Sequence, residues 1–220
     1  MTEQTALLRL MAWLSPVFPT GGFAYSSGLE TAVQAGMIGD QQQMRQWLES
    51  NLSDGSLRND AILLADSWRN HSSEPALAAT AELALGLAGS KERYLEITAQ
   101  GQAFASTITN WPELATLDLP APCPLCVSVG AAAGFCGLNL SQTLVAYLHS
   151  VVTSQVQAAI RLSVLGQSGA AQILAQLEPV ITTLAVEAET STLDDLGSTA
   201  IAMEVMAMDH QYLEGRMFRS

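Results

Sequence analysis

The sequence is poor in basic residues and in charge overall. Lysine and arginine number 9 in 220 residues against 21 acidic residues, which gives a net charge of −12, and charged residues make up only 14%. Nucleic-acid and anionic-membrane binding both need clustered positive charge, so we expect neither as a partner. A basic protein partner would suit this net charge better.

Cysteine, leader-like segments and long apolar runs are also scarce. An odd number of cysteines, 3, and no basic or apolar stretch in the first residues predict reduced thiols in a cytoplasmic protein. The best candidate for a membrane span, 127–140, contains three glycines and is shorter than the roughly 18 residues required. We therefore expect no span, although the 49% hydrophobic content provides a large core and predicts a partner over part of the surface.

Motifs for catalysis or metal binding are missing. Cys123 and Cys126 form a C-x-x-C, but no second pair completes a zinc site and no βαβ context supports redox chemistry. Small buried thiols are favoured over either use. The three histidines lie far apart, and neither a G-x-S-x-G nor a P-loop occurs. We predict no catalytic residue, no metal site and no cofactor.

The residue pattern predicts an all-α fold. Ala, Leu and Gln are abundant, period-2 alternation is hard to find, and prolines separate the helical stretches. We predict helices near 3–14, 26–35, 56–70, 75–88, 90–110, 127–134, 141–165 and 198–209, a third helix that begins after Asp40, and a ninth that begins at about Gly169. The dense small residues of 127–134 predict a central buried helix. The chain is thus expected to be a single-domain bundle of about ten helices, spanning 1–220.

Some helix boundaries have local signals. Asp40 is a predicted N-cap, with Gln43 three residues later as its capping-box partner. Ser141 is predicted to cap the long helix that ends at Gly166. Pro179 is expected to kink the following helix or to start a new one.

The first candidate functional segment is 210–220, here called the 210–220 segment. It mixes arginines with large apolar residues, which are enriched at energetic hot spots of protein interfaces. We predict a docking tail, with a frayed terminus as the alternative. Its candidate partner-binding residues are His210, Arg216, Met217, Phe218, Arg219 and Ser220.

The second candidate is the stretch 15–30, here called the 15–30 loop. Two prolines stiffen it, two adjacent glycines permit unusual backbone angles, and two aromatics are placed as anchors. A packed inter-helix loop is the alternative, and a small-molecule pocket under Gly21 and Gly22 is the competing functional hypothesis. The candidate partner-binding residues are Pro19, Gly21, Gly22, Phe23, Tyr25, Ser26, Gly28 and Glu30.

These two segments carry a family resemblance. The 15–30 loop follows the pattern S-P-x-x-P-x-G-x-F-x-Y-S-x-G-L-E position by position. The 210–220 segment keeps His210, Arg216, Phe218, Arg219 and Ser220 of a tail of the form H-E-T-Q-Y-S-R-L-F-R-S. The chain resembles urease accessory protein F, the UreF family, over nearly its whole length. Residues 211–215 depart from the pattern, and Asp209 stands where an Arg is common.

The resemblance implies a scaffold and not an enzyme. It implies an all-α homodimer that binds a UreD/UreH-type accessory protein, recruits or regulates a UreG-type GTPase, and serves nickel insertion into the urease apoprotein. Carried over, Arg216, Phe218 and Arg219 would dock into the UreD-type partner. Arg161 matches a usually basic position expected to lie towards the GTPase, and an intramolecular ion pair is its alternative role.

Overall fold

The computed structural model describes residues 1–220 and confirms the predicted all-α, single-domain bundle. It contains ten α-helices, four short 3₁₀ helices and no strand. The helices are α1 (Glu3–Trp13), α2 (Leu29–Gln34), α3 (Gln41–Asp54), α4 (Ser56–Arg69), α5 (Glu74–Gly86), α6 (Lys91–Ile108), α7 (Leu125–Phe135), α8 (Leu140–Arg161), α9 (Gln167–Thr190) and α10 (Ile201–Asp209).

Helix α7 lies at the centre of the bundle, as its small residues predicted. Every residue from 126 to 134 is buried, and α4 and α6 pack against the helix. A Cβ atom at Gly130 would lie 2.3 Å from the Leu64 carbonyl oxygen, and one at Gly134 would lie 2.4 Å from the Trp68 carbonyl oxygen. The missing side chains therefore let the α4 backbone approach α7 directly.

Helix α8 differs from the prediction at both ends. Its N-cap is Asn139, whose Oδ1 accepts a hydrogen bond from the Gln142 backbone N–H at 2.9 Å, so the prediction of Ser141 as the cap is wrong. The helix ends at Arg161 and not near Leu165, because Ser163 adopts a left-handed φ of 63°. Arg161 thus becomes the last residue of the helix.

Helix α9 runs as one helix through Pro179, so no new helix starts there. Contrary to the sequence analysis, α9 is long and apolar enough to cross a membrane by length and composition. Core helices pass the same test, and the buried residues of α9, including Ile173 and Leu177, pack with α8, α3 and α4.

The remaining differences lie next to the two candidate segments. Helix α2 begins at Leu29 and not at Ser26, because Ser27 and Gly28 have φ values of 52° and 81°. Helix α10 begins at Ile201 and not near 198. One hydrophobic core contains buried residues from α1 to α9 and also Phe218 of the 210–220 segment. The far end of the sequence is therefore part of the packed molecule.

Candidate functional site

The 15–30 loop is fixed to the body of the protein by aromatic packing. The Phe18 ring centroid lies 5.6 Å from that of Phe104 and 6.1 Å from that of Trp111. Further along, a Cβ atom at Gly28 would lie 2.8 Å from the backbone nitrogen of Ala207. Only glycine fits both this close approach and the positive φ, so Gly28 brings α10 against the loop.

Glu30 joins the loop to the 210–220 segment. Its carboxylate Oε1 accepts from the Met217 N–H at 2.8 Å, and Oε2 accepts from the Phe218 N–H at 3.1 Å. His210 Nε2 lies 3.0 Å from Oε2. Because an ionised carboxylate only accepts, Nε2 carries the hydrogen of the imidazole. One buried carboxylate therefore holds three groups of the distant segment.

The hydrogen bonds change the ionisation of Glu30. Burial raises the pKa of this carboxyl, but the N–H groups of Met217 and Phe218 and the His210 ring favour the ionised form. Their combined effect is larger than that of burial, so the pKa of Glu30 lies below its ordinary value. The anchor is a carboxylate at neutral pH.

A second set of hydrogen bonds fixes the last two residues. The Ser220 carbonyl oxygen accepts from the Ser26 N–H at 2.7 Å and also from the Ser26 hydroxyl. The Arg219 N–H donates to the Ala24 carbonyl oxygen at 2.8 Å. The Ser220 hydroxyl donates to Glu96 Oε2 at 3.0 Å, inside the bundle. The 210–220 segment thus lies along the 15–30 loop, and backbone hydrogen bonds join the two.

Arg161 and Phe218 complete the contact. The guanidinium carbon of Arg161 lies 4.2 Å from the Phe218 ring centroid, a cation–π geometry, and Nη1 donates to the Phe23 carbonyl oxygen. Phe218 is only 4% exposed. Arg161 forms no ion pair with an acidic residue, so it does not adopt the alternative role considered for it.

The predicted site residues divide into a buried set and an exposed set. The buried set faces the protein's own interior and comprises Tyr25, Ser26, Gly28, Glu30, His210, Phe218 and Ser220. The exposed set comprises Pro19, Phe23, Arg161, Arg216, Met217 and Arg219, with Gly21 and Gly22 half-buried. Phe23 is 71% exposed and Met217 52%. The buried set acts as the support of the site, and only the exposed set is free to contact another molecule.

Sequence reasoning missed Glu96. This α6 residue accepts from the Ser27 hydroxyl at 2.9 Å as well as from Ser220, and it lies 3.8 Å from the Arg93 guanidinium. Arg93 in turn pairs with Asp60 at 2.6 Å. Burial lowers the pKa of Arg93, and the Asp60 and Glu96 carboxylates raise it to a larger extent. An acidic residue on the buried face of an amphipathic helix was the available signal.

Neither the two cysteines of the C-x-x-C nor the pair Gly21 and Gly22 is arranged as a reactive, metal-binding or small-molecule site. Cys123 and Cys126 are buried free thiols, and burial raises the pKa of Cys123 to about 11. No group of three or more His, Cys, Asp or Glu side chains is placed to hold a metal ion.

The cleft beside Gly22 has a volume of about 90 Å³. Small-molecule sites usually occupy roughly 300–1,000 Å³, so this cleft does not favour the small-molecule hypothesis.

Comparison with known proteins places the chain among relatives of one family. The family model for UreF matches residues 38–178. The chain is 48% identical over 223 residues to urease accessory protein UreF of Mesorhizobium japonicum, covering 100% of both chains. It is 47% identical over 216 residues to urease accessory protein UreF 1 of Brucella anthropi, covering 98% of this chain and 95% of that protein. The Brucella ovis UreF is 48% identical with the same coverage.

The helical fold and these relatives define the protein as a urease accessory protein, which takes part in urease maturation. Within that class, the chain belongs to the UreF family. The family model leaves out both the 15–30 loop and the 210–220 segment. The full-length relative from Mesorhizobium japonicum includes both in its alignment.

Proposed function

We propose that this chain is a scaffold for urease maturation that binds a UreD/UreH-type accessory protein. The resulting complex recruits or regulates a UreG-type GTPase, which delivers nickel as cargo to the urease apoprotein. The chain works as a cytoplasmic homodimer and catalyses no reaction itself. Its contribution is geometric, because a rigid helical body that holds two partners raises their effective concentration for each other.

The observation that carries this proposal is the pairing of the 210–220 segment with the 15–30 loop. Backbone hydrogen bonds from Met217, Phe218 and Arg219 fix the segment before any partner arrives. A fixed segment loses little conformational entropy on binding, which increases affinity. Phe23 and Met217 then project from an ordered surface as apolar contacts.

Arg161 belongs to the same surface in this proposal. The family resemblance directs Arg161 towards the GTPase, whereas its guanidinium stacks on Phe218 of the 210–220 segment. We therefore assign Arg161, Arg216 and Arg219 to one docking surface for the UreD/UreH-type protein, here called the docking surface, together with Phe23 and Met217. The GTPase is recruited by the complex that this surface forms.

The test is co-purification of the chain with its UreD/UreH-type partner. The full-length chain and the double variant Phe23→Ala/Met217→Ala are each co-expressed with a tagged partner. Both side chains are exposed, so the variant should keep its helical content, measured by circular dichroism. Loss of apolar contacts at the centre of an interface should weaken binding at least about tenfold. Tyr94→Ala, which removes another exposed aromatic from α6, is the matched control.

A chain ending at Asp209 gives the second measurement. It removes every donor of the 210–220 segment and should lose the partner completely while α1 to α9 stay folded. If this truncated chain still binds like the full-length chain, the docking surface lies elsewhere. If the full-length chain does not bind the partner at all, the proposed function is wrong.

A further inference from the structure

The positive charges of this acidic protein are unevenly distributed. Arg9, Arg45 and Arg93 each form ion pairs with a carboxylate of the same chain. Arg58 donates to the Asp195 carbonyl oxygen, and Arg69 donates to carbonyl oxygens at the end of α9. None of the three arginines of the docking surface contacts a carboxylate, although the chain has 21 acidic residues. Two of them, Arg216 and Arg219, also lack the carbonyl partners that Arg58 and Arg69 have.

The carboxylates beneath the docking surface are already occupied. Glu30 is buried and accepts from Met217, Phe218 and His210. Glu96 is buried and accepts from Ser27 and Ser220. These acids hold the segment in place by receiving its N–H and O–H groups, and they do not pair with its arginine side chains.

The exposed arginines therefore keep free hydrogen-bonding capacity. Arg216 and Arg219 are exposed and make no side-chain hydrogen bond or ion pair. Arg161 uses one N–H for the Phe23 carbonyl and one face for the Phe218 ring, which leaves other donors of its guanidinium fork unused. Glu214 is the one acidic side chain between His210 and Ser220, and it forms no ion pair with them. The surface is locally cationic.

We propose that the face of the partner that meets the docking surface is acidic, with carboxylates placed around an apolar hollow. Guanidinium groups match carboxylates bidentately, and the hollow would receive Phe23 and Met217. The local charge thus points to an acidic partner face, whereas the net charge of −12 favours a basic partner. This inference rests on the proposed function, because it describes the UreD/UreH-type partner of the same surface.

Charge reversal with a matched control tests the inference. Arg216→Glu/Arg219→Glu changes two exposed side chains without intramolecular partners, so the fold should be unchanged. Lys91→Glu reverses the charge of another exposed, unpaired side chain, at the start of α6. Binding of the purified UreD/UreH-type protein is measured by biolayer interferometry at roughly 50 and 300 mM NaCl, a range over which exposed charges become strongly screened.

The expected result is a loss of at least about tenfold in affinity for the double variant, mostly through slower association, with less than about twofold for Lys91→Glu. The wild-type affinity should fall as salt rises, and the double variant should be less sensitive to salt. The inference is overturned if the wild type binds and the double variant binds equally well, or if salt leaves wild-type binding unchanged. A wild type that does not bind would remove the proposed function and this inference with it.

Discussion

At the residue scale, Glu30 concentrates the support of the site in one carboxylate. It lies in the first turn of α2 and receives two backbone N–H groups and one imidazole N–H. Hydrogen bonds to a charged acceptor contribute about 1.5–3 kcal/mol, more than neutral ones. Replacing this side chain should therefore release the 210–220 segment without changing the exposed residues that we assign to the docking surface.

Glu30→Gln should destabilise the protein by about 2 kcal/mol at pH 7, because the NH₂ group of the glutamine side chain is a donor and would have to face a buried N–H donor of the 210–220 segment. Because the folded-state pKa of Glu30 is lowered, its stabilising contribution is present above the unfolded value of 4.5 and is lost as pH falls through the lowered pKa. Urea denaturation between pH 7 and pH 3 should therefore show the difference between wild type and variant narrowing below pH 4.5.

The control for this prediction is Glu82→Gln, at an exposed acidic position on α5. It should change the free energy of unfolding by less than about 0.5 kcal/mol at every pH, since surface substitutions away from special contacts have small effects. A constant difference between wild type and Glu30→Gln down to pH 3 would show that the carboxylate charge does not stabilise the segment.

Gly28 should be sensitive to the addition of a single methyl group. Gly28→Ala places a Cβ 2.8 Å from the Ala207 nitrogen and forces a positive φ of 81° on alanine. Gly36→Ala imposes a similar φ of 74° but meets nothing within 4 Å. The difference in urea midpoint between the two variants isolates the clash, and Gly28→Ala should be the less stable by about 1–3 kcal/mol. Equal midpoints would mean that α10 moves away without cost.

At the element scale, the contact of α7 with α4 depends on small residues. Gly130→Ala brings a Cβ to 2.3 Å from the Leu64 carbonyl oxygen, which belongs to a helix backbone that cannot easily move. We expect the free energy of unfolding to fall by about 1–3 kcal/mol, because the added methyl group overpacks the core.

A glycine-to-alanine substitution in α5 should have the opposite effect on stability. Gly86→Ala adds a methyl group in open space at the end of the helix, where alanine is favoured over glycine by roughly 0.5–1 kcal/mol. Thermal unfolding of both variants should give a lower midpoint for Gly130→Ala and an unchanged or higher one for Gly86→Ala. Two changes of the same sign would contradict the packing argument for α7.

The same elements show what local pattern can predict. Helices α1, α4 and α7 were predicted within about two residues at each end, and α3 at its start, because periodicity, caps and small-residue density act within a few positions. The end of α8 was predicted too late because we expected the helix to end at Gly166, whereas Ser163, a non-glycine residue, adopts the left-handed conformation that ends it. Its start was misplaced because Asn139 provides the cap.

At the scale of the whole molecule, the two candidate segments were identified from sequence, but their contact was not. Glu30 binds backbone N–H groups of Met217 and Phe218, and every non-proline residue has such a group. The pairing therefore leaves no signature in the sequence. The role of Glu96 was missed for a different reason, because its serine partners, Ser27 and Ser220, lie 69 and 124 positions away in the sequence. The partner-binding roles of the exposed residues stay predictions.

The contact between the 15–30 loop and the 210–220 segment has a consequence for biosynthesis. Its hydrogen bonds join residues 180, 187, 188 and 194 positions apart, so they close very long loops and should form after the local helices. A ribosome-bound chain exposes the loop first and cannot complete the docking surface until residue 220 has left the exit tunnel. Under the proposed function, a partner should therefore bind this surface only after the 210–220 segment has emerged and paired with the 15–30 loop.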